Sequence, residues 1–498
     1  MEMMSAEART DPLAVVFGAC VPKEVSAESV VPDTMPDIDR ILDAETAIYI
    51  RSKSIDDGEV TLDGVISAVV LYSSTDDEAV HKLELSVPAS IEFRDGDIQS
   101  GDVLITDTSI TSAEAKMLNP RKILLRAETA SEIKLLRSAP MDLSCAGTDV
   151  PGIELLNKSA ILGFITSVTE KAFTINEEIL LPDRAFMDEL LAFQAQVTAE
   201  GIKKVGSRAI LQGMVLLSVL YTKEEEGALA FENFTVPYSQ ILEAPAQEAA
   251  ASVQLRQSAC YLEPIPGLNG AASLSLEINM NALLVCTSAA ETEYVADAYS
   301  LRGPCETDFC TLNTTGSYET AELRQTIRDR IDVSGGVKKV ISAFPTACLP
   351  AIGEGTARVS VLVRVMYLGE DDRLRQAVKR ISAELPIDGE DAHCLVSQVI
   401  FREVNASEAR DGIELRLETE LVFVRAVNQS IRYVCSIESE DSEAAEEGEC
   451  PSLIVIRPGE AEIWDLAKKY RSTCAAIREA NPGGIVPDKL LLIPRARK

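Results

Sequence analysis

The chain has 498 residues, 46% hydrophobic and 25% charged, with 27 Gly and 22 Pro. At roughly 150 residues per domain there is room for about three cores, and the composition is that of folded protein, not of collagen, low-complexity tails or a disordered chain. Forty-seven basic against 79 acidic residues give a net charge of −32, which repels phosphate backbones and anionic membrane surfaces, so no nucleic-acid partner is expected.

No run approaches the about 20 apolar residues of a spanning helix, and Met1-Glu2-Met3-Met4-Ser5-Ala6-Glu7 has neither the basic nor the apolar region of a signal peptide. A cytosolic protein without membrane insertion is the expectation.

In chain order, Val31-Pro32-Asp33 precedes Pro36–Leu42, whose apolar spacing and early acids predict a short helix. Val65–Tyr72 is then an apolar run ending in Tyr, followed by a polar turn and a second run closing on Val87-Pro88. Two β-prone runs about a polar turn predict a hairpin, and a proline without an N–H suits a strand end. The loop from Asp95 to Asp102 reads as an Asp-Gly turn; it lacks the third acid and distal Glu of a calcium loop. Lys122–Ala127 is a further strand.

The same order returns about 149 residues later. Leu181-Pro182-Asp183 precedes a helix-like Phe186–Leu191, Met214–Tyr221 leads through a charged turn to Val236-Pro237, and Ala272–Ile278 follows as a strand. A third copy has Ser360–Tyr367, Leu385-Pro386 and the alternating Ile413–Glu418, without a recognisable counterpart of the helix-like stretch. A period this long predicts tandem domains, mainly β, each with one short helix.

Eleven cysteines are scattered from Cys20 to Cys474, several, such as Cys286 and Cys435, inside apolar runs; reduced core thiols are the expectation. Cys305 and Cys310 lack a second pair or nearby His for zinc, and no metal or cofactor is implied. With only His81 and His393, and no Walker loop, Gly-x-Ser-x-Gly elbow or His-Glu-x-x-His helix, the chain carries no signal of an enzyme.

Residues 436–450 form an acidic run with little to bury, predicting a solvated linker. Residues 451–498 differ from the remainder in charge, at +4 against −36. Leu453–Ile456 predicts a strand, Pro458-Gly459 a turn, and Ile463–Tyr470 a helix. Ser472 or Thr473 can cap a second helix that ends at Asn481-Pro482-Gly483, and Leu490–Pro494 is the returning strand.

This strand-helix-helix-strand order, with its Trp464-x-x-Ala467-Lys468-Lys469-Tyr470 helix, Asn481-Pro482 and closing Leu-x-Ile-Pro, resembles the LysM module. The resemblance implies binding to N-acetylglucosamine glycans, with Gly459, Glu460, Ala461, Trp464, Asn481, Pro482 and Gly483 as groove residues. The stretch before Trp464 is one residue longer than the family's and lacks its hydroxyl; Pro487-Asp488-Lys489 stands where Pro-Gly-Gln is usual. For Trp464 itself, a core-anchor role competes with ligand stacking.

Upstream, the strand ending in Leu-Tyr, the hairpin closing on hydrophobic-Pro, and Asp297-Ala298-Tyr299-Ser300 resemble SPOCS domains. Tandem SPOCS repeats with one LysM module are similar to SipL-like spore-coat morphogenetic proteins. The resemblance implies SPOCS-like repeats at 11–160, 161–302 and a divergent 303–435, the linker 436–450 and LysM 451–498. It further implies a non-enzymatic mother-cell scaffold at the forespore surface whose LysM module docks on the coat basement-layer ATPase, SpoIVA. Peptidoglycan binding through the LysM groove is the competing reading.

Overall fold

The computed structural model describes residues 12–74, 79–138, 142–182, 186–223, 228–243, 250–266, 271–353, 355–387, 392–439, 452–484, 486 and 489–495. It is mainly β, as the sequence predicts. The first set of strands is β1 (Leu13–Val30), β2 (Ile38–Asp56), β3 (Glu59–Ser74), β4 (Val80–Arg94), β5 (Val103–Asn119) and β6 (Lys122–Ser138). The second is β7 (Ile153–Leu180), β8 (Met187–Val205), β9 (Arg208–Lys223), β10 (Leu229–Glu243), β11 (Ala250–Ile265) and β12 (Ser273–Ser300). The third is β13 (Cys305–Asp332), β14 (Lys339–Ala347), a short β15 (Ala351–Gly353), β16 (Thr356–Leu368), β17 (Leu374–Pro386), β18 (Ala392–Ala409) and β19 (Gly412–Ser439).

One pairing order recurs in all three sets. The second, third and fourth long strands form β2-β3-β4, β8-β9-β10 and β14-β16-β17, while the first pairs the last and the last pairs the fifth, as β1-β6-β5, β7-β12-β11 and β13-β19-β18. The two former triplets join edge to edge through β1 and β7 into one six-stranded sheet. The hairpins read from sequence are β3–β4, β9–β10 and β16–β17; Pro88 and Pro237 fall inside the return strands and Pro386 ends its own.

The helices expected at 36–42 and 186–191 are not helices but the starts of β2 and β8. Their helical look has a specific cause. Register shifts fall between Ile38/Arg40 and Ile41/Asp43 in β2, and between Met187/Glu189 and Leu190/Ala192 in β8. Each bulge adds a residue and resets the two-residue alternation, which leaves apolar side chains at the i, i+3, i+4 spacing of a helix. The third set has this element too, as β14, with one shift between Val340/Ser342.

The chain divides into two compact units. The first comprises Met1–Ala139, Phe164–Ser288 and Tyr318–Val427. Within it, Tyr72, Tyr221 and Tyr367 are each buried in their own set's core, against Ile123 and Leu125, Leu274 and Leu276, and Leu415 and Leu417 respectively. Their immediate predecessors Leu71, Leu220 and Met366 point the opposite way and meet in a single cluster with Leu42, Leu191 and Phe344. Each of these buried side chains stabilises the fold by about 1.5–3 kcal/mol relative to exposure.

Charge is buried beside that cluster. Arg364 of β16 pairs with Glu45 and lies 3.4 Å from Asp43, both on β2, and all three side chains are at most 10% exposed. The Asp43 carboxylate also accepts from Gln376 Nε2 at 2.5 Å. At the Asp95–Asp102 turn, Asp102 is held by the Arg137 guanidinium at 2.6 and 2.8 Å, which accounts for its acid without an ion.

The second unit comprises Pro140–Gly163, Ala289–Ser317 and Asn428–Lys498. Ile153, Leu155, Val295, Ala298, Val434 and Ile437 form one of its cores. The expectation of reduced thiols is corrected at one pair: Cys310 and Cys435 are joined in a disulfide, with Cα atoms 5.7 Å apart. Strand pairing of β13 with β19 brings together residues 125 apart in sequence, a proximity no local spacing reveals. The expected linker begins later than read, since 436–439 complete β19; its residues 440–450 lie outside the described residues.

Removing Arg364 leaves two buried carboxylates without their cation. Arg364→Ala is expected to destabilise the protein by about 3–5 kcal/mol, read as a lower denaturant midpoint in chemical unfolding.

Candidate functional site

The terminal module builds as its sequence dictates. β20 (Leu453–Ile456) is followed by α1 (Ile463–Tyr470), α2 (Cys474–Ala480) and β21 (Leu491–Pro494), and β20 pairs antiparallel with β21. In α1, Asp465 in the first turn and Lys468 and Lys469 in the last complement the helix dipole, and Arg471 closes the helix in a left-handed conformation. Thr473 caps α2 by accepting from the Ala476 N–H at 3.0 Å. Leu466, Ala467, Ile477, Leu491 and Ile493 are buried together, with Ile454, Ile456 and Ile463 against them.

The register fixes where the predicted groove loops lie. Ile456 pairs with Leu491, so the turn 457–462 leaves and the loop 481–490 returns at the same end of the two-stranded ribbon. Gly459, Glu460 and Ala461 are exposed in that turn, Gly459 at φ +58° and the Ala461 N–H donating to the Pro458 carbonyl at 3.2 Å. Pro482 and Gly483 are exposed on the opposing loop. Pro487 and Asp488 lie outside the described residues.

Two of the predicted residues are committed within the chain. The Asn481 amide donates to the carbonyls of Ile477 at 2.7 Å and Leu492 at 2.6 Å, and its oxygen accepts from the Leu492 N–H at 2.9 Å. It ties the end of α2 to β21. Trp464 Nε1–H donates to Asp297 Oδ2 at 2.7 Å, and the indole meets the Tyr299 ring edge-on, with centroids 4.9 Å apart.

The partner of Trp464 is the end of β12, the same Asp297-Ala298-Tyr299-Ser300 segment singled out in the sequence, and both belong to the second unit. Lys468, one helical turn after Trp464, donates to both Asp297 oxygens at 2.6 and 2.7 Å. Tyr299 is buried in the module's own core and its hydroxyl donates to the Ser472 carbonyl at 2.6 Å. Ser300 Oγ accepts from the Arg302 N–H at 3.1 Å and closes the turn that follows. Sequence flagged each half of this contact, but a separation of 167 residues hid their meeting.

Burial opposes ionisation of Asp297, yet the hydrogen bonds from Lys468 and Trp464 outweigh it and hold the carboxyl below its ordinary range. Burial pushes the Tyr299 phenol up, so it stays a donor at any physiological pH. The site offers exposed loops, a basic surface and a half-buried carboxylate–indole lock. Among the described residues no group of His, Cys, Asp and Glu is arranged to hold a metal, and no helix is long and apolar enough to cross a membrane.

Comparison with known families matches residues 37–118 to the family described as SipL, SPOCS domain. These residues are β2, β3, β4 and nearly all of β5. The match supports a SipL-like family for this region and points to a sporulation-related role. No curated protein and no solved structure matches the chain.

Trp464 is the only tryptophan, so its emission reports this contact directly. Asp297→Ala is expected to move that emission to longer wavelength in the folded protein. Because the Asp297 carboxyl is depressed, its stabilisation is complete above the ordinary carboxyl pKa of about 3.9 and is lost as pH falls through the lower folded value. An acid titration of Trp464 emission is expected to show this step in the wild type and to lack it in Asp297→Asn.

Proposed function

We propose that the chain is a non-enzymatic scaffold of spore-coat morphogenesis, working in the mother cell at the forespore surface. In this reading the three strand sets are SPOCS-like repeats, at 11–160, 161–302 and 303–435, and the terminal module is a LysM-like adaptor that docks on a coat basement-layer ATPase of the SpoIVA type. The SPOCS match over residues 37–118 supports the sporulation role.

The observation that carries the choice of a protein partner over glycan is the commitment of Trp464 to Asp297 and Tyr299. An indole whose N–H is already donated to Asp297 and whose ring packs against Tyr299 has no donor left for a sugar ring and a smaller surface to stack on it. Asn481, the polar side chain of the returning loop, is likewise used up. What remains on both loops is small, exposed surface: Gly459, Glu460, Ala461, Pro482 and Gly483, suited to contact with a protein face.

The test is capture of the full chain on immobilised basement-layer ATPase and on purified sacculi. Retention on the ATPase without depletion by sacculi is expected. Ala461→Glu combined with Gly483→Glu is expected to weaken retention about tenfold or more while leaving Trp464 emission unchanged. Depletion by sacculi alone contradicts this reading and supports the glycan one.

A further inference from the structure

The β20–β21 ribbon has two faces, and only one is covered. In an antiparallel pair, directly opposed residues share a face and successive residues alternate. Ile454 and Ile456 with their partners Ile493 and Leu491 face the helices and are core. Leu453 and Val455, opposite Pro494 and Leu492, therefore face away. Leu453 is 47% and Val455 50% exposed, and Leu490, just before β21, is 67% exposed.

Charge frames this apolar face. Arg457 follows β20, Lys489 precedes Leu490, and Arg495 follows β21 with its backbone N–H on the Ser452 carbonyl at 3.1 Å. Among the described residues none of the three is in an ion pair. An occupant must therefore be apolar at its centre and acidic around it. Two such ribbons placed face to face would oppose like charges, which argues against a symmetric pairing.

The chain itself carries a face of that chemistry. On the outer side of β11-β12-β7, Tyr261 is 49% exposed opposite Glu277, and Glu263 lies opposite Ser275. Leu262, Leu276 and Ile278 are buried on the other side. Glu178 and Leu180 of β7 are exposed about the buried Ile179, and Leu180, at 73%, is the most exposed large hydrophobic among the described residues. Tyr261 and Leu180 among Glu178, Glu263 and Glu277 complement Leu453, Val455 and Leu490 among Arg457, Lys489 and Arg495.

We propose that the outer face of the β20–β21 ribbon docks on the acidic outer face of β11-β12-β7 in a second copy of this chain. Such a contact joins two different faces, so each copy carries one face of each kind and association builds closed rings or open chains. At about 0.15 M salt the Debye length is about 8 Å, so the local charges of the two faces, not the net charge of the chain, govern the approach. The inference stands apart from the docking reading above, because it needs no second protein.

Sedimentation velocity of the full chain from about 1 to about 100 μM in about 0.15 M salt tests it. The weight-average sedimentation coefficient is expected to rise across the range. Leu453→Glu/Val455→Glu and, separately, Glu263→Lys/Glu277→Lys are each expected to sediment as monomers with an unchanged circular-dichroism spectrum, because these four side chains are exposed. Mixed together, the two variants retain one intact face each and are expected to form a capped one-to-one dimer. A wild type that stays monomeric throughout, variants that associate as the wild type does, or a mixture that stays monomeric overturns the proposal.

Discussion

A strand turns successive side chains to opposite faces, and the first unit depends on that constraint at three positions. Leu71-Tyr72, Leu220-Tyr221 and Met366-Tyr367 each send the aromatic ring into the core of their own strand set and the preceding residue into a core shared by all three. The unit therefore has private cores joined by one common core. Arg364, two residues before Met366 and so on the same face, carries the buried charge that ties β16 to β2. Gln196 reinforces the joint between the second and third sets, its amide donating to the Val399 carbonyl at 2.7 Å and accepting from the Phe401 N–H at 2.9 Å.

The second unit solves a different problem. A module of some forty residues buries too little apolar surface to be strongly stable alone, and here its core includes a tyrosine from β12. The Asp297 carboxylate adds charge-assisted bonds from Lys468 and from the indole N–H, both from a single turn of α1. One carboxylate thus fixes the rotation of that helix. The consequence is that the residue best suited to stack on a sugar holds α1 against the end of β12.

The sequence made the regular parts legible. The hairpins, the strand-helix-helix-strand order and a cap at Ser472 or Thr473 all follow from local period and propensity, and the structure has each of them, with Thr473 as the cap. The starts of β2 and β8 were misleading because two bulges in quick succession imitate helical spacing. β14 was missed because its single bulge leaves a different apolar spacing. The Cys310–Cys435 bond and the Asp297–Trp464 contact depend on which strands become neighbours, and local pattern carries no information about that. Local pattern does not show that Asn481 is bonded to Leu492 or that Trp464 is bonded to Asp297, because both depend on how the segments pack.

The central claim is that the terminal module and the end of β12 are one folded piece, locked through Asp297 and Tyr299. Hydrogen exchange of the full chain, wild type against Tyr299→Ala, measures this most directly. Faster exchange in the variant at the amides of α1, α2 and Leu492 is the predicted result, since the tyrosine is part of their core. Unchanged protection of those amides would mean that the module folds independently of β12, and would contradict the account.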